Sequence, residues 1–208
     1  MKSNQSGRSM IEMLGVLAIV GVLSVGGIAG YSKAMAKVKN NRFISEAGEL
    51  VMNIRNLYIE QRSYAGLNNK ILINTGFVPY EMLNKQASSA AITHAYGGDV
   101  LVYESKAPNG LIKAFEIYFT GLEKQPCIFL ATMDWGSDPA SGFQSIYAGT
   151  AEIDGALMLD VYGGTPSIPD RNIYTSGMHE NAVPLTVHEA AAVCNCTLNT
   201  CSVGLKYM

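Results

Sequence analysis

The sequence predicts an α+β fold in which a long N-terminal helix packs on an antiparallel β-sheet. Three observations carry this. Met13–Ser32 contains no charged residue and is dominated by Val, Leu, Ile, Ala and Gly. Apolar residues then recur at helical spacing as Phe43, Ile44, Ala47, Leu50, Val51, Ile54, Leu57 and Tyr58. Beyond residue 90, short apolar runs bounded by Gly, Pro and Asn outnumber helical patterns. With 208 residues, 48% hydrophobic and 15% charged, the chain is long enough for one domain plus an appendage and is too apolar to be intrinsically disordered. The formal net charge is −2, and Lys33, Lys37, Lys39 and Arg42 form the only basic cluster, so nucleic acid is not expected as the main partner.

The apolar run comes first. At about 1.5 Å per residue it spans roughly 30 Å, one bilayer core, so the chain is single-span or secreted. A single helix is predicted from about Ser9 to Gln61, with Ser45, Glu46, Glu49, Asn53, Arg55 and Asn56 off its apolar stripe. Gly21, Gly26, Gly27 and Gly30 lie in its first half, where each costs about 1 kcal/mol relative to Ala. They suit either close packing of membrane helices or a weak point that bends or melts when subunits pack. Glu12 stands at the edge of the apolar run. It either snorkels to the headgroups, pairs with Arg8 one turn earlier, or has a function within the apolar environment. Basic residues flank both ends of the run, which leaves orientation open on charge alone.

In the remainder, a short helix is expected near Asn69–Thr75, a turn at Val78-Pro79 and extended chain over His94–Tyr103. A hairpin turn falls at Ala107-Pro108-Asn109-Gly110, with a strand over Leu111–Thr120. A helix over Pro126–Trp135 holds Cys127, and strands follow at Phe143–Tyr147 and Ala156–Val161. Pro184–Cys194 reads as a helix with Leu185, Val187, Ala190, Ala191 and Cys194 on one side, and Ser202–Tyr207 as the last strand. The four cysteines, Cys127, Cys194, Cys196 and Cys201, all lie beyond the apolar run. An even number after an export-type segment points to disulfides rather than to a zinc site, whose usual spacings are absent. Four cysteines allow three pairings. The favoured one joins Cys127 to Cys194 and Cys196 to Cys201, and an exchange of Cys194 for Cys196 is the main alternative. His94, His179 and His188 are scattered, no hydrolase, zinc-protease or P-loop motif occurs, and Asp154, Asp160 and Asp170 lack calcium-loop spacing. No catalytic residue, metal or cofactor is expected.

One constellation at the N-terminus is more specific. A short polar leader with Lys2 ends in Gly7, Glu12 is the fifth residue after it, and the run from Met13 to Leu23 follows at once. This resembles the class III signal of type IV pilins and of the pseudopilins of type II secretion. The resemblance implies that a prepilin peptidase cuts after Gly7 on the cytoplasmic side and methylates the new N-terminus. Arg8 then becomes the first mature residue, where the family usually has Phe or another apolar residue. It further implies a leader over residues 1–7, a transmembrane and assembly helix over 8–32, an amphipathic continuation over 33–62 and a globular head over 63–208. Glu12 would pair with a neighbour's N-terminal amine. The subunit would wait in the bacterial inner membrane with its head outside, then enter an extracellular homo-oligomeric filament through the pilus assembly machinery. Tyr96-Gly97-Gly98, Pro126-Cys127 and Ala190–Cys194 look most like the type IVb branch, which includes conjugation-plasmid pilins. A minor pilin or pseudopilin is the nearest alternative, and a membrane-anchored or secreted binding domain with no assembly role is the more distant one.

Overall fold

The computed structural model describes residues 10–84, 91–107, 109–136, 138–150, 173–175, 183–197 and 200–208. The leader, the strand expected at Ala156–Val161, Asp154, Asp160, Asp170 and His179 lie outside the described residues. Contacts divide the chain into two units, Met1–Asn41 and Arg42–Met208.

Helix α1 runs without interruption over Met10–Tyr58. Within the second unit it buries Phe43, Ala47, Leu50, Val51, Ile54 and Tyr58, the expected stripe, while Ile44 and Leu57 are half-buried. Glu46 differs from expectation, because it is buried on this stripe rather than on another face. Its place three residues after Phe43 puts it there, and two partners make the burial tolerable. Arg42 Nε donates to its Oε1 at 2.5 Å, and the Ala95 N–H donates to its Oε2 at 3.1 Å. A backbone amide in the turn before the sheet thereby gains the acceptor it needs.

After α1 come α2 (Asn69–Thr75), β1 (Leu83–Asn84) and β2 (Ala91–Ile92), the last two forming a small antiparallel pair. The main sheet then takes β3 (Val100–Ser105), β4 (Ala114–Leu122), β5 (Phe143–Gly149), β6 (Ile173–Thr175) and β7 (Cys201–Tyr207), in the spatial order β3-β4-β7-β5-β6. Its pairs are all antiparallel. Two short helices, α3 (Lys124–Ala131) and α4 (Val187–Val193), pack on each other and on β5 and β7.

Local chemistry explains most of these boundaries. Asn68 caps α2 by accepting the Ile71 N–H, and Gly76, at φ 74°, ends it in the left-handed conformation that glycine adopts at low cost. Asn69 then reaches the outer edge of β3, donating to Val100 O and accepting from the Val102 N–H, so this edge is partly satisfied by a side chain. β4 begins at Ala114, later than the expected Leu111, because Ile112 O accepts from the Tyr64 N–H instead of joining the ladder. α3 begins two residues before Pro126, which the first helical turn tolerates because its N–H would have no helical partner. In α4, Thr186 and Glu189 form a reciprocal capping box. Leu185, Ala190 and Cys194 are buried as expected, but Val187, in the first turn, is 71% exposed.

Across one sheet face, Phe115, Ile117 and Phe119 of β4 and Val203, Leu205 and Tyr207 of β7 join the α1 stripe in one core. Phe43 meets Phe119 edge-on, with ring centroids 4.5 Å apart. His94 sits against both rings, and Nε2 donates to Thr120 O at 2.8 Å because Nδ1 already accepts from the Tyr96 N–H. Burial pushes its pKa below the usual imidazole value, against the opposing effects of Thr120 O and Asp99. A Cβ at Gly98 would lie 1.9 Å from Thr120 O, so only glycine fits this approach of the turn to β4.

Residues of opposite parity make a polar row, buried at Glu116, Lys206 and Ser145, through the register Tyr103↔Glu116↔Lys206↔Ser145. Glu116 Oε1 accepts from Ser105 Oγ at 2.5 Å and lies 3.7 Å from Lys206 Nζ, while Oε2 accepts from the Tyr118 hydroxyl. Both members of the ion pair are fully buried. Desolvating two charges offsets much of their attraction, so the net gain from the pair is small, whereas losing one partner is expensive. Lys206→Met should therefore lower unfolding free energy by about 3–5 kcal/mol, and adding Glu116→Gln should recover most of that loss. Denaturant titration of the detergent-solubilised full chain measures both variants. Equal stability of Lys206→Met and the parent would show that the pair has no such role.

Candidate assembly interface

Every residue of α1 from Met10 to Lys39 is exposed. The surface includes Ile11 at 80%, Leu14 at 62%, Val22 at 75% and Ile28 at 67% exposure. Fully burying one such side chain yields about 1.5–3 kcal/mol, so the whole surface represents on the order of 20 kcal/mol or more of driving force. Water is thus a poor solvent for this helix. By length and composition it is apolar enough to cross a membrane. The few polar groups are accommodated locally: Ser24 Oγ donates to Val20 O at 2.7 Å and Ser32 Oγ to Ile28 O at 3.1 Å. Hydroxyls bonded back to the preceding turn can enter lipid or a dry helix bundle without an unmet donor. Among the described residues, and apart from the helix's own backbone, nothing lies within 4 Å of a Cβ built on Gly15, Gly21, Gly26, Gly27 or Gly30.

Glu12 lies in the first turn of α1 and is exposed. A carboxylate near a helix N-terminus is favoured by the helix dipole. Gly7 and Arg8 lie outside the described residues.

At the other end of the chain, Cys127 in α3 is bonded to Cys194 at the end of α4, and Cys196 to Cys201 at the start of β7. The Sγ atoms of Cys127, Cys194 and Cys201 are clustered within 4.8 Å, close enough to hold a metal as thiolates, but all four cysteines are in disulfides. The first bridge ties α3 to α4, and the second closes the short segment that delivers the chain into the central strand β7. The signals missed by sequence reading were the polar ones: Glu46, Glu116 and Lys206 carry charged side chains and are nevertheless buried.

A long helix packed on an antiparallel sheet with its last strand central, an apolar helical half left exposed, and a disulfide-bounded C-terminal region define a type IV pilin. The family model described as Bundlin matches residues 33–157, more than half of the chain, and the chain belongs to that family. It is 33% identical over 142 residues to the major structural subunit of the bundle-forming pilus of Escherichia coli O127:H6 (strain E2348/69 / EPEC), covering 68% of this chain and 71% of the relative. The same figures hold for the subunit of that name from Escherichia coli O111:H-. Among solved structures, the type IV b pilin from Salmonella typhi superimposes with a TM-score of 0.51 at 17% identity, covering 79% of this chain and 97% of that one. TcpA, a type IV pilin from Vibrio cholerae El Tor biotype, gives 0.52 at 14% identity, covering 81% and 98%. At these identities the two structures establish a shared fold.

The disulfides should differ in weight. Cys127 and Cys194 are 67 residues apart and Cys196 and Cys201 only 5. Loop-closure entropy gives about 4 kcal/mol for the long loop and about 2 kcal/mol for the short one. Cys127→Ser should accordingly deplete folded subunit more than Cys201→Ser, as read by thermal unfolding and by cellular yield. A larger loss from Cys201→Ser would reverse that ranking.

Proposed function

We propose that this chain is the structural subunit of a type IV pilus and polymerises through the N-terminal half of α1. The observation that carries this reading is the uninterrupted exposed apolar surface from Met13 to Ser32, which holds no charged residue. A single chain cannot bury that surface. Lipid covers it before assembly, and the same helices of neighbouring copies cover it afterwards. The likeness to two major structural subunits of the bundle-forming pilus supports the reading. In this scheme residues 1–7 are a leader, 8–32 the membrane and assembly helix, 33–62 its amphipathic continuation and 63–208 the head. Prepilin peptidase cuts between Gly7 and Arg8, the subunit waits in the inner membrane, and the assembly machinery moves it into an extracellular filament. The chain acts as a building block rather than as a catalyst.

Glu12 supplies the specificity that apolar packing lacks. Apolar helices slide past one another with little energetic preference, whereas a carboxylate leaving water needs a partner at one definite place. The amine freed on a neighbour by cleavage before Arg8 is a cation at the right end of the helix. Glu12→Ala or Glu12→Val should therefore leave the subunit folded and inserted, but reduce sheared filament yield by an order of magnitude, in keeping with the loss of a buried charge pair. Normal yield from either variant would remove Glu12 from assembly. Intact-mass measurement of membrane-extracted protein should place the mature N-terminus at Arg8. A start at Lys37, the product of a secretory signal-peptide cut at the small-residue match Ala34-Met35-Ala36, would remove the apolar part of the helix and falsify the filament reading itself.

A further inference from the structure

The second unit contains a cleft of about 700 Å³ that the assembly reading does not use. It lies between the end of α1, the following segment to Tyr64, and the β3–β4 hairpin turn. Its walls include Arg55, Arg62 and Lys113, with no Asp or Glu side chain among the described lining residues. In a chain with 17 acidic and 15 basic residues, three basic side chains around one cleft are a local concentration of charge, of which Arg55 is engaged by Met208 O in the same lining while Arg62 and Lys113 are exposed. None of the three cations is ion-paired with an Asp or Glu side chain among the described residues.

The cations are held in different ways. Arg55 is pre-positioned: Nη2 donates to Ser141 O at 2.5 Å and to Met208 O at 3.3 Å, and the guanidinium stacks over Tyr207 at 5.2 Å. Burial pushes the Tyr64 phenol up, and the charge of Arg55 opposes that push, which puts the cation and the ring in one environment. Arg62 has φ 54°, the only positive value for a non-glycine among the described residues. A bulky residue in the left-handed region is strained by about 1–3 kcal/mol, and such strain gathers at binding sites. Lys113 is exposed at the opposite side of the hairpin turn.

The rest of the lining narrows the ligand. Tyr58, Ile59 and Tyr64 supply flat apolar surface, and Asn56 and Asn109 supply amides. The Oδ1 of Asn109 already accepts the Leu111 N–H, which leaves its NH2 as a donor. The volume suits a ligand of one or two rings. A bare anion would use the cations and ignore the aromatic wall, whereas a neutral sugar would use the wall and amides and leave the charges of Arg62 and Lys113 unmet. We propose that this cleft binds an acidic saccharide, a pyranose ring carrying a carboxylate, with the carboxylate met by Arg62 and Lys113 beside the fixed Arg55 and the ring laid on Tyr64.

The test uses the full chain in detergent micelles, titrated calorimetrically at constant sodium concentration with glucuronate, glucose and inorganic phosphate. Glucuronate and glucose differ only in carboxylate against hydroxymethyl at one ring carbon. The expected result is saturable glucuronate binding, with glucose and phosphate each at least about tenfold weaker, the scale of one charge-assisted hydrogen bond. The double variant Arg62→Asn/Lys113→Gln should weaken glucuronate at least about tenfold with unchanged Tm, since Asn tolerates the left-handed backbone. Tyr64→Leu should weaken glucuronate and leave phosphate unaffected. Equal binding of glucose and glucuronate, phosphate binding as tight as glucuronate, or no saturation by glucuronate would each overturn the proposal. None of these outcomes depends on whether the chain forms filaments.

Discussion

One helix has to satisfy two environments. The first half of α1 is apolar on every side and fully exposed, while the second half has a single buried stripe anchored by Phe43, Leu50 and Ile54. Hydrophobic burial dominates both halves, but its geometry differs. A stripe requires one flat partner, and the sheet supplies it. An all-round apolar surface requires a partner on every side, which a globular domain cannot offer and which lipid or a bundle of identical helices can. The remaining architecture answers to this requirement: the head must fold stably while its own N-terminal helix contributes only its last third, from Phe43 to Tyr58, to the core.

That stability rests on β7. The last strand lies between β4 and β5, so the sheet is complete only when the C-terminus is in place. Insertion of a final strand into the middle of a sheet is a long-range pairing with a high entropic penalty. Both disulfides act close to it. One ties α3 to α4, which pack on the neighbouring sheet, and the other closes the turn into β7. The Glu116–Lys206 pair joins β4 to β7 directly across the ladder. A one-residue slip of β7 would move Lys206 to the apolar face and Leu205 to the polar one. The ion pair thus discriminates between registers even though its net contribution to stability is small.

The local signals in the chain were informative where one residue type has one structural use. Asn69–Thr75 is helical within the bounds its capping residues set, and Asn109-Gly110 forms the hairpin turn with Gly110 at φ 77°. The apolar periodicity located α1 and its buried stripe. Short elements were beyond its reach: β1, β2 and β6 span only two or three residues each, too few for a period to register. β4, expected over Leu111–Thr120, lies at Ala114–Leu122: Phe115, Ile117 and Phe119 alternate with Glu116 and Tyr118 even though both faces are buried, and only its bounds moved.

The sequence alone determined the class of molecule. An uncharged apolar run behind Gly7 and Glu12, passing without a break into an amphipathic helix, states that part of the chain leaves water and part packs on a domain, because composition and period are local properties. Cysteine pairing, the central position of β7, and the partners of Glu46, Glu116 and Lys206 were decided by tertiary structure. Each depends on which distant residues meet. A buried charge is unfavourable on its own and becomes acceptable only through a partner that local patterning cannot name. The cleft of Arg55, Arg62 and Lys113 belongs to the same category: its cations are scattered over nearly sixty positions, and only the fold gathers them.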